Sequence, residues 1–449
     1  MNRLFGTDGV RGIANSELTP DLAFNLGKAG AHVLRKNNSK PVVIIGADTR
    51  ISGDMLRSAL CAGILAVGGN VINAGVLPTP AIAYLVRYFE ADAGVMISAS
   101  HNPFEYNGIK FFNEEGFKLD DEIEDAIEDI IVRDIDVNSH ITGELLGKCL
   151  EAGENSMEHY GEFLKSTFHG DMDGKKIVLD CANGASYKIA EKVYRSLGAD
   201  ITVIGNDPDG ININRRCGST HPEKLQDTVL REKAFMGMAF DGDADRLIAV
   251  DEKGDLIDGD KMICICARKL KKDGALADDI VTATVMSNLG FHRFMEDMGC
   301  TVNTTKVGDR YVLESMLESG CVIGGEQSGH IIFLNHTTTG DGILSSLQLL
   351  EAVLESGRKA SELSGEIKIY PQVLKNARVK NENKNKYFSD PEITEEIRKL
   401  EDAMDGEGRV LIRPSGTEPL VRVMIEGKDE QHIAGMAEAL AKLVTEKLG

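Results

Sequence analysis

The sequence predicts an α/β fold, and three observations carry that prediction. Short apolar runs at 42–45, 95–97, 177–179, 201–204 and 247–250 alternate with helical periodicity, as strands joined by crossover helices do. With 449 residues and 42% hydrophobic content, the chain can bury cores for about three or four domains. The last block departs from the alternation: RVLIRPSGTEPLVRVMI reads as two strands. Asp429 then N-caps an amphipathic helix carrying Ile433, Met436, Ala437, Leu440, Leu443 and Val444, which makes a small α+β unit.

Residues 58–86 contain no charged side chain, a run long enough to cross about 30 Å of hydrocarbon. Gly68, Gly69 and Asn70 nevertheless stop a helix that starts near Asp54. Residues 71–77 then form a short strand, and Pro78 and Pro80 break the chain again. This is a helix, strand, helix unit rather than a membrane span. Polar, acidic stretches near 143–155, 251–258 and 364–371 place domain limits at 1–153, 154–254, 255–368 and 369–449.

A formal net charge of -21 repels nucleic-acid backbones and anionic membranes, so neither is an expected partner. An anionic ligand must therefore meet a locally positive pocket. The eight cysteines are scattered without a CxxC pair, which points to reduced, mostly buried thiols rather than zinc or redox chemistry. The start MNRLFGTDGVRG lacks the apolar core of a secretory signal, so the cytoplasm is the expected location. Neither GxGxxG nor GxxxxGK[ST] occurs, which argues against a dehydrogenase or a nucleotide-dependent kinase.

Four loops carry chemistry. The first, ISASHNP at 97–103, follows a strand whose end faces a crevice in α/β sheets, so Ser100 is expected to be exposed and reactive. His101 beside it and Lys110 nearby offer proton transfer or charge neutralisation. The second loop places Asp241, Asp243 and Asp245 at alternate positions, where an extended backbone turns all three carboxylates to one side. Few, anionic oxygen ligands suit Mg²⁺, with waters or phosphate oxygens completing its shell; a solvated acidic turn is the plain alternative.

The third loop, GGEQSGH at 324–330, brings Glu326, Ser328 and His330 between glycines, a set of groups that binds sugar hydroxyls. The fourth combines Arg413, Ser415, Gly416 and Thr417, followed by Arg422, into a phosphate cradle.

In this order and one per domain, the four loops resemble the α-D-phosphohexomutase superfamily across essentially the whole chain. The resemblance implies three topologically related α/β domains and a smaller C-terminal α+β domain around a central active-site cleft. It also implies that Ser100 is phosphorylated in the working enzyme and that one Mg²⁺ is held by Asp241, Asp243, Asp245 and a phosphate oxygen on Ser100. Glu326 and Ser328 match the residues that grip sugar hydroxyls. Arg413, Ser415, Gly416, Thr417 and Arg422 match those that hold the phosphate not being transferred. Arg11, Lys110 and His330 match positions near the transferring phosphate, Arg246 is expected to add to the electrostatics there, and Lys306 is a further candidate substrate ligand.

The FGTDGVRG start, Gln327 and the segment TTTGDGILSSLQ are similar to the branch that acts on glucosamine phosphate. The implied activity is an isomerase that exchanges glucosamine 6-phosphate and glucosamine 1-phosphate through a sugar 1,6-bisphosphate, which also serves as activator. That product feeds UDP-N-acetylglucosamine synthesis. Lys110 and His330 are both left as the general base. The expected partner is a small phosphosugar, and a homodimer is compatible with the reading. The rival functions are another phosphomutase, a metal-dependent phosphatase, and a non-catalytic sugar-phosphate sensor. A phosphatase leaves Ser100 and the distal cradle unexplained, and none of the four loops shows the loss expected of a sensor.

Overall fold

Strands buried on both faces organise the first of two units in the computed structural model, which describes residues 3–6, 8–35, 40–150, 155–415 and 418–449. This unit comprises Met1–Thr284 and Val302–Gly365. Its first sheet runs in the order Val10–Ile13, Tyr106–Phe112, Ala93–Ile97, Val42–Ala47, Asn70–Val76, Cys149–Leu150. The inner strands Val42–Ala47 and Ala93–Ile97 pair in parallel and are apolar throughout because helices cover both faces. The helix Pro20–Val33 begins with Pro20 at its first turn, and the Thr19 side chain accepts from the Leu22 amide. It packs on the helix Gly53–Ala66 with Gly27 against the Leu60 carbonyl, a contact with no room for a Cβ.

The uncharged run resolves into the helix Gly53–Ala66, the strand Asn70–Val76 and the helix Thr79–Tyr88. No described helix is long and apolar enough to cross a membrane.

The second sheet has the order Leu256–Ile257, Leu247–Val250, Met236–Phe240, Lys176–Asp180, Asp200–Ile204. The third has the order Thr301–Thr305, Ile280–Thr284, Ile323–Gly325, Ile331–Phe333. The five strands expected from apolar runs all form, each extended by a residue or two at most except Leu247–Val250, which matches.

The second unit comprises Val285–Thr301 and Glu366–Gly449. Its antiparallel sheet runs Gln372–Arg378, Leu420–Gly427, Gly408–Pro414. Val421, Val423 and Ile425 alternate onto one face and pack with Ile433, Ala437, Leu440 and Val444 of the helix Glu430–Leu448. Asp429 caps that helix by accepting from the His432 amide at 3.0 Å. All eight cysteines are free; six are buried, Cys61 is half-buried and Cys149 is exposed.

Candidate functional site

The strand Ala93–Ile97 delivers residues 98–102 to the edge of the first sheet. Ser98 Oγ donates to Asp48 Oδ2 at 2.6 Å and accepts from the Ser100 amide at 2.9 Å. Ser100 itself adopts φ 51°, a left-handed conformation that is uncommon for a residue with a Cβ. Its Oγ donates to Asp241 Oδ2 at 2.5 Å and lies 3.4 Å from His101 Nδ1.

The expectation that Ser100 is exposed is corrected: only 1% of the residue meets solvent. The aspartate loop lies over it. Gly242 permits that approach, since a Cβ there would lie 2.5 Å from the Ser100 carbonyl oxygen.

The strand Met236–Phe240 ends immediately before Asp241. The three aspartates do converge, but not by extended alternation: residues 242–245 turn, and Ala244 has φ 56°. The turn brings one carboxylate oxygen of each residue within 4.8 Å of the others, all buried. Thr79 Oγ1 donates to Asp243 Oδ2 at 2.6 Å, and Lys110 Nζ lies 2.9 Å from the same oxygen. Asp243 Oδ1 and Asp245 Oδ1 are buried with no hydrogen-bond partner among the described residues. Orphaned anionic oxygens at this spacing are costly alone and fit a divalent cation.

The electrostatics agree with that fit. Burial, reinforced by Asp245 and Asp243, raises the Asp241 carboxyl well above its usual range. Burial and then Asp243 raise Asp245. Burial works against charge on Asp243 as well, but Lys110 and Thr79 overcome it and hold that group below the ordinary range. Burial lowers the His101 imidazole to about 4, with Arg246 and Arg11 adding to the effect.

Lys110 sits on the strand Tyr106–Phe112, 3.1 Å from Asp8 Oδ2, and Arg11 pairs with the same carboxylate. Arg246 Nε lies 3.9 Å from Asp245 Oδ1, and its backbone bridges that of His330. His330 is buried, with Nε2 3.7 Å from Asp309 Oδ2. Glu326 Oε1 accepts from the Gly308 amide at 3.1 Å, which ties the segment containing Lys306 to the third loop. Lys306 Nζ stands 5.8 Å from the Tyr311 ring centre, and Ser328 is exposed at the turn. The Gln327 amide donates to Asp258 at 3.3 Å.

Ser100, His101, Arg11, Lys110, Arg246, the aspartates and His330 therefore form one charged constellation. Sequence reading missed three of its members. Lys118 bonds both Asp8 and Asp309, so carboxylates and cations alternate behind the aspartates. Asp8 stood three residues before Arg11 and was legible in principle, whereas Lys118 and Asp309 belong to distant segments and carried no local signal.

In the second unit, Arg413 and Arg422 are direct partners across antiparallel strands and share one face of the sheet. Ser415 is buried beside them, its Oγ accepting from the Glu418 amide at 3.1 Å. Gly416 and Thr417 lie outside the described residues.

Four phosphoglucomutase/phosphomannomutase family models match: alpha/beta/alpha domain I over residues 2–137, domain II over 157–254, domain III over 258–370 and the C-terminal domain over 374–443. The phosphoglucosamine mutase of Clostridium novyi is 57% identical over 447 residues, covering 100% of this chain and 99% of that protein. The phosphoglucosamine mutase of a Thermoanaerobacter species is 59% identical over 448 residues and the whole of both chains. A phosphoglucomutase/phosphomannomutase family protein from Burkholderia thailandensis shares the fold, with a TM-score of 0.82 at 24% identity over 99% of this chain and 98% of that one.

Proposed function

The chain belongs to the phosphoglucomutase/phosphomannomutase family, and within it we propose an isomerase that interconverts glucosamine 6-phosphate and glucosamine 1-phosphate through a phosphorylated Ser100. The observation that supports the reading most directly is the 2.5 Å bond from Ser100 Oγ to Asp241, one of the three clustered carboxylates. The two mutases at 57% and 59% identity favour a glucosamine phosphate over a glucose or mannose phosphate.

Asp241, Asp243 and Asp245 would hold Mg²⁺, which, when bound, neutralises charge on the phosphoryl group. Lys110, fixed among Asp243, Asp8 and Asp245, supplies a second positive charge at a set position, and Arg246 and Arg11 add others. The sugar hydroxyl attacks the phosphorus on Ser100 and gives its proton to His330, whose ring nitrogens have no hydrogen-bond partner among the described residues. The bond from phosphorus to Ser100 Oγ breaks, and the serine oxygen takes up the proton that left the sugar hydroxyl, relayed from His330, so that no proton is gained or lost in the transfer.

The sugar 1,6-bisphosphate so formed returns its other phosphate to Ser100 after turning around. Glu326, Ser328 and Lys306 grip the sugar, while Arg413, Ser415, Gly416, Thr417 and Arg422 hold the phosphate at rest. The product suits amino-sugar nucleotide synthesis in the cytoplasm.

Intact-mass analysis with and without glucose 1,6-bisphosphate, paired with turnover of glucosamine, glucose and mannose 6-phosphates, tests the proposal. One phosphate mapped to Ser100 and absent from Ser100→Ala is expected. So is a preference of at least about tenfold in kcat/KM for glucosamine 6-phosphate. A fully active Ser100→Ala enzyme would sink the mechanism, and better turnover of glucose or mannose phosphate would sink the substrate assignment.

A further inference from the structure

Ser100 is held in place by two side chains that touch neither its hydroxyl nor the aspartates. The wholly buried Arg50, just beyond the strand Val42–Ala47, spreads its guanidinium under the loop. Its Nη2 donates to the carbonyls of Ser100 and Asn102, both at 2.9 Å. Its Nη1 donates to the carbonyl of Tyr106 at 3.0 Å and to that of Pro103. Its Nε donates to Asp48 Oδ2 at 2.8 Å, the oxygen that also receives Ser98 Oγ.

Asn214 reaches the same place from the neighbouring block of the unit. Its Nδ2 donates to the Ser100 carbonyl at 2.8 Å and the Asn102 carbonyl at 3.1 Å. Its amide donates to the Ala182 carbonyl at 2.9 Å, and its own φ is 59°. Two donors from different blocks of the unit thus converge on the same two carbonyls. The first of those carbonyls belongs to Ser100 itself, the residue held at φ 51° in the left-handed region.

We propose that Arg50 and Asn214 are positioning residues: together they clamp the carbonyls of Ser100 and Asn102, and so fix the direction in which Ser100 Oγ meets phosphorus. The clamp has a directional logic. An arginine fork in a buried site sets the angles of planar acceptors, whereas a lysine or a hydrophobic side chain of similar bulk does not. Asn214 adds a tie from the block that carries Asp241, so serine and carboxylates are registered through the backbone as well as through the 2.5 Å hydroxyl contact. The inference rests on the proposed phosphoryl transfer through Ser100.

The test compares Asn214→Ala, Asn214→Asp and Arg50→Lys with the parent enzyme, using Mg²⁺, glucosamine 6-phosphate and glucose 1,6-bisphosphate. Tm, KM, kcat and the rate at which phosphorylated enzyme discharges to sugar phosphate are read for each. For Asn214→Ala and Arg50→Lys, kcat and discharge should fall at least about tenfold, while KM stays within about twofold. Asn214→Asp should be slower than Asn214→Ala, because a carboxylate of the same shape faces two carbonyls. A role in filling space alone would give the opposite order.

A variant that does not fold is set aside, and the others decide by the same criteria. The clamp is overturned if the parent is phosphorylated on Ser100 and the folded variants keep kcat within about twofold, or lose kcat only in proportion to Tm. An active parent that never carries phosphate on Ser100 overturns the proposed function instead.

Discussion

Lys110 Nζ lies 2.9 Å from Asp243 Oδ2, and both side chains are buried. The pair leaves the second oxygen of Asp243 without a hydrogen-bond partner among the described residues, next to the equally unpartnered Asp245 Oδ1. One face of the carboxylate is thus committed to organising the protein and the other is open to a cation. That division leaves anionic oxygen free for a cation although Lys110 and Arg246 already stand beside the cluster.

Asp243→Asn should retain the fold and lose the metal. The amide oxygen can still accept from Thr79 or Lys110, but the anionic oxygen directed at the cluster is gone. Mg²⁺ affinity measured by calorimetry is expected to fall by at least about tenfold, or about 1.4 kcal/mol. Unchanged affinity, or full turnover after verified metal removal, would show that the aspartates serve another purpose.

The pH dependence of stability should contain a contribution from Asp341. This buried residue caps the helix Gly342–Ser356, accepting from the Leu344 amide at 2.9 Å, and it accepts from the Tyr160 hydroxyl at 2.7 Å. Burial nevertheless pushes its carboxyl up to about 6. Since the folded value stands above an unfolded value of about 3.9, protonation favours the folded state. The contribution is fully present below pH about 4 and is lost as pH rises through about 6. Asp341→Asn removes this slope. Relative to the variant, the parent should lose roughly 2 kcal/mol between pH 4 and pH 7 in denaturant unfolding. An equal stability difference at both pH values would refute the assignment.

Much of this architecture was legible because it depends on local signals. Apolar runs gave the central strands, Asp429 gave the final helix cap, and the spacing of Asp241, Asp243 and Asp245 pointed to a cation. The geometry behind those signals was less accessible. An alternating pattern suggested an extended strand where Ala244 turns the chain through φ 56°, since a tight turn and a short strand bring i, i+2 and i+4 together alike. Ser100 was expected at the surface because a strand end faces a crevice, but a loop 141 residues away closes over it. Arg50, Thr79, Lys118 and Asp309 act through contacts that span 50 to 191 residues, so no window of sequence contains both members of a pair.

The facing of Arg413 and Arg422 across their strands yields the final prediction, in which binding and stability respond differently. Two like charges directly opposite on a sheet repel, at a cost of about 0.2–1 kcal/mol, unless an anion lies between them. Arg422 is partly compensated by Glu418 Oε2 at 3.7 Å, an exposed pair worth little. A phosphate held by both guanidinium groups gains charge-assisted hydrogen bonds of about 1.5–3 kcal/mol each. Removing either arginine should therefore raise KM for the sugar phosphate by at least about tenfold, and Arg422→Ala should leave Tm without ligand unchanged or slightly higher. Mg²⁺ affinity should stay at the parent value, because the carboxylate cluster is built entirely within the first unit. If Arg413→Ala and Arg422→Ala both keep the parent KM, the resting phosphate is bound elsewhere; if Arg422→Ala loses Tm together with affinity, Arg422 is a structural element of its sheet and not part of a cradle.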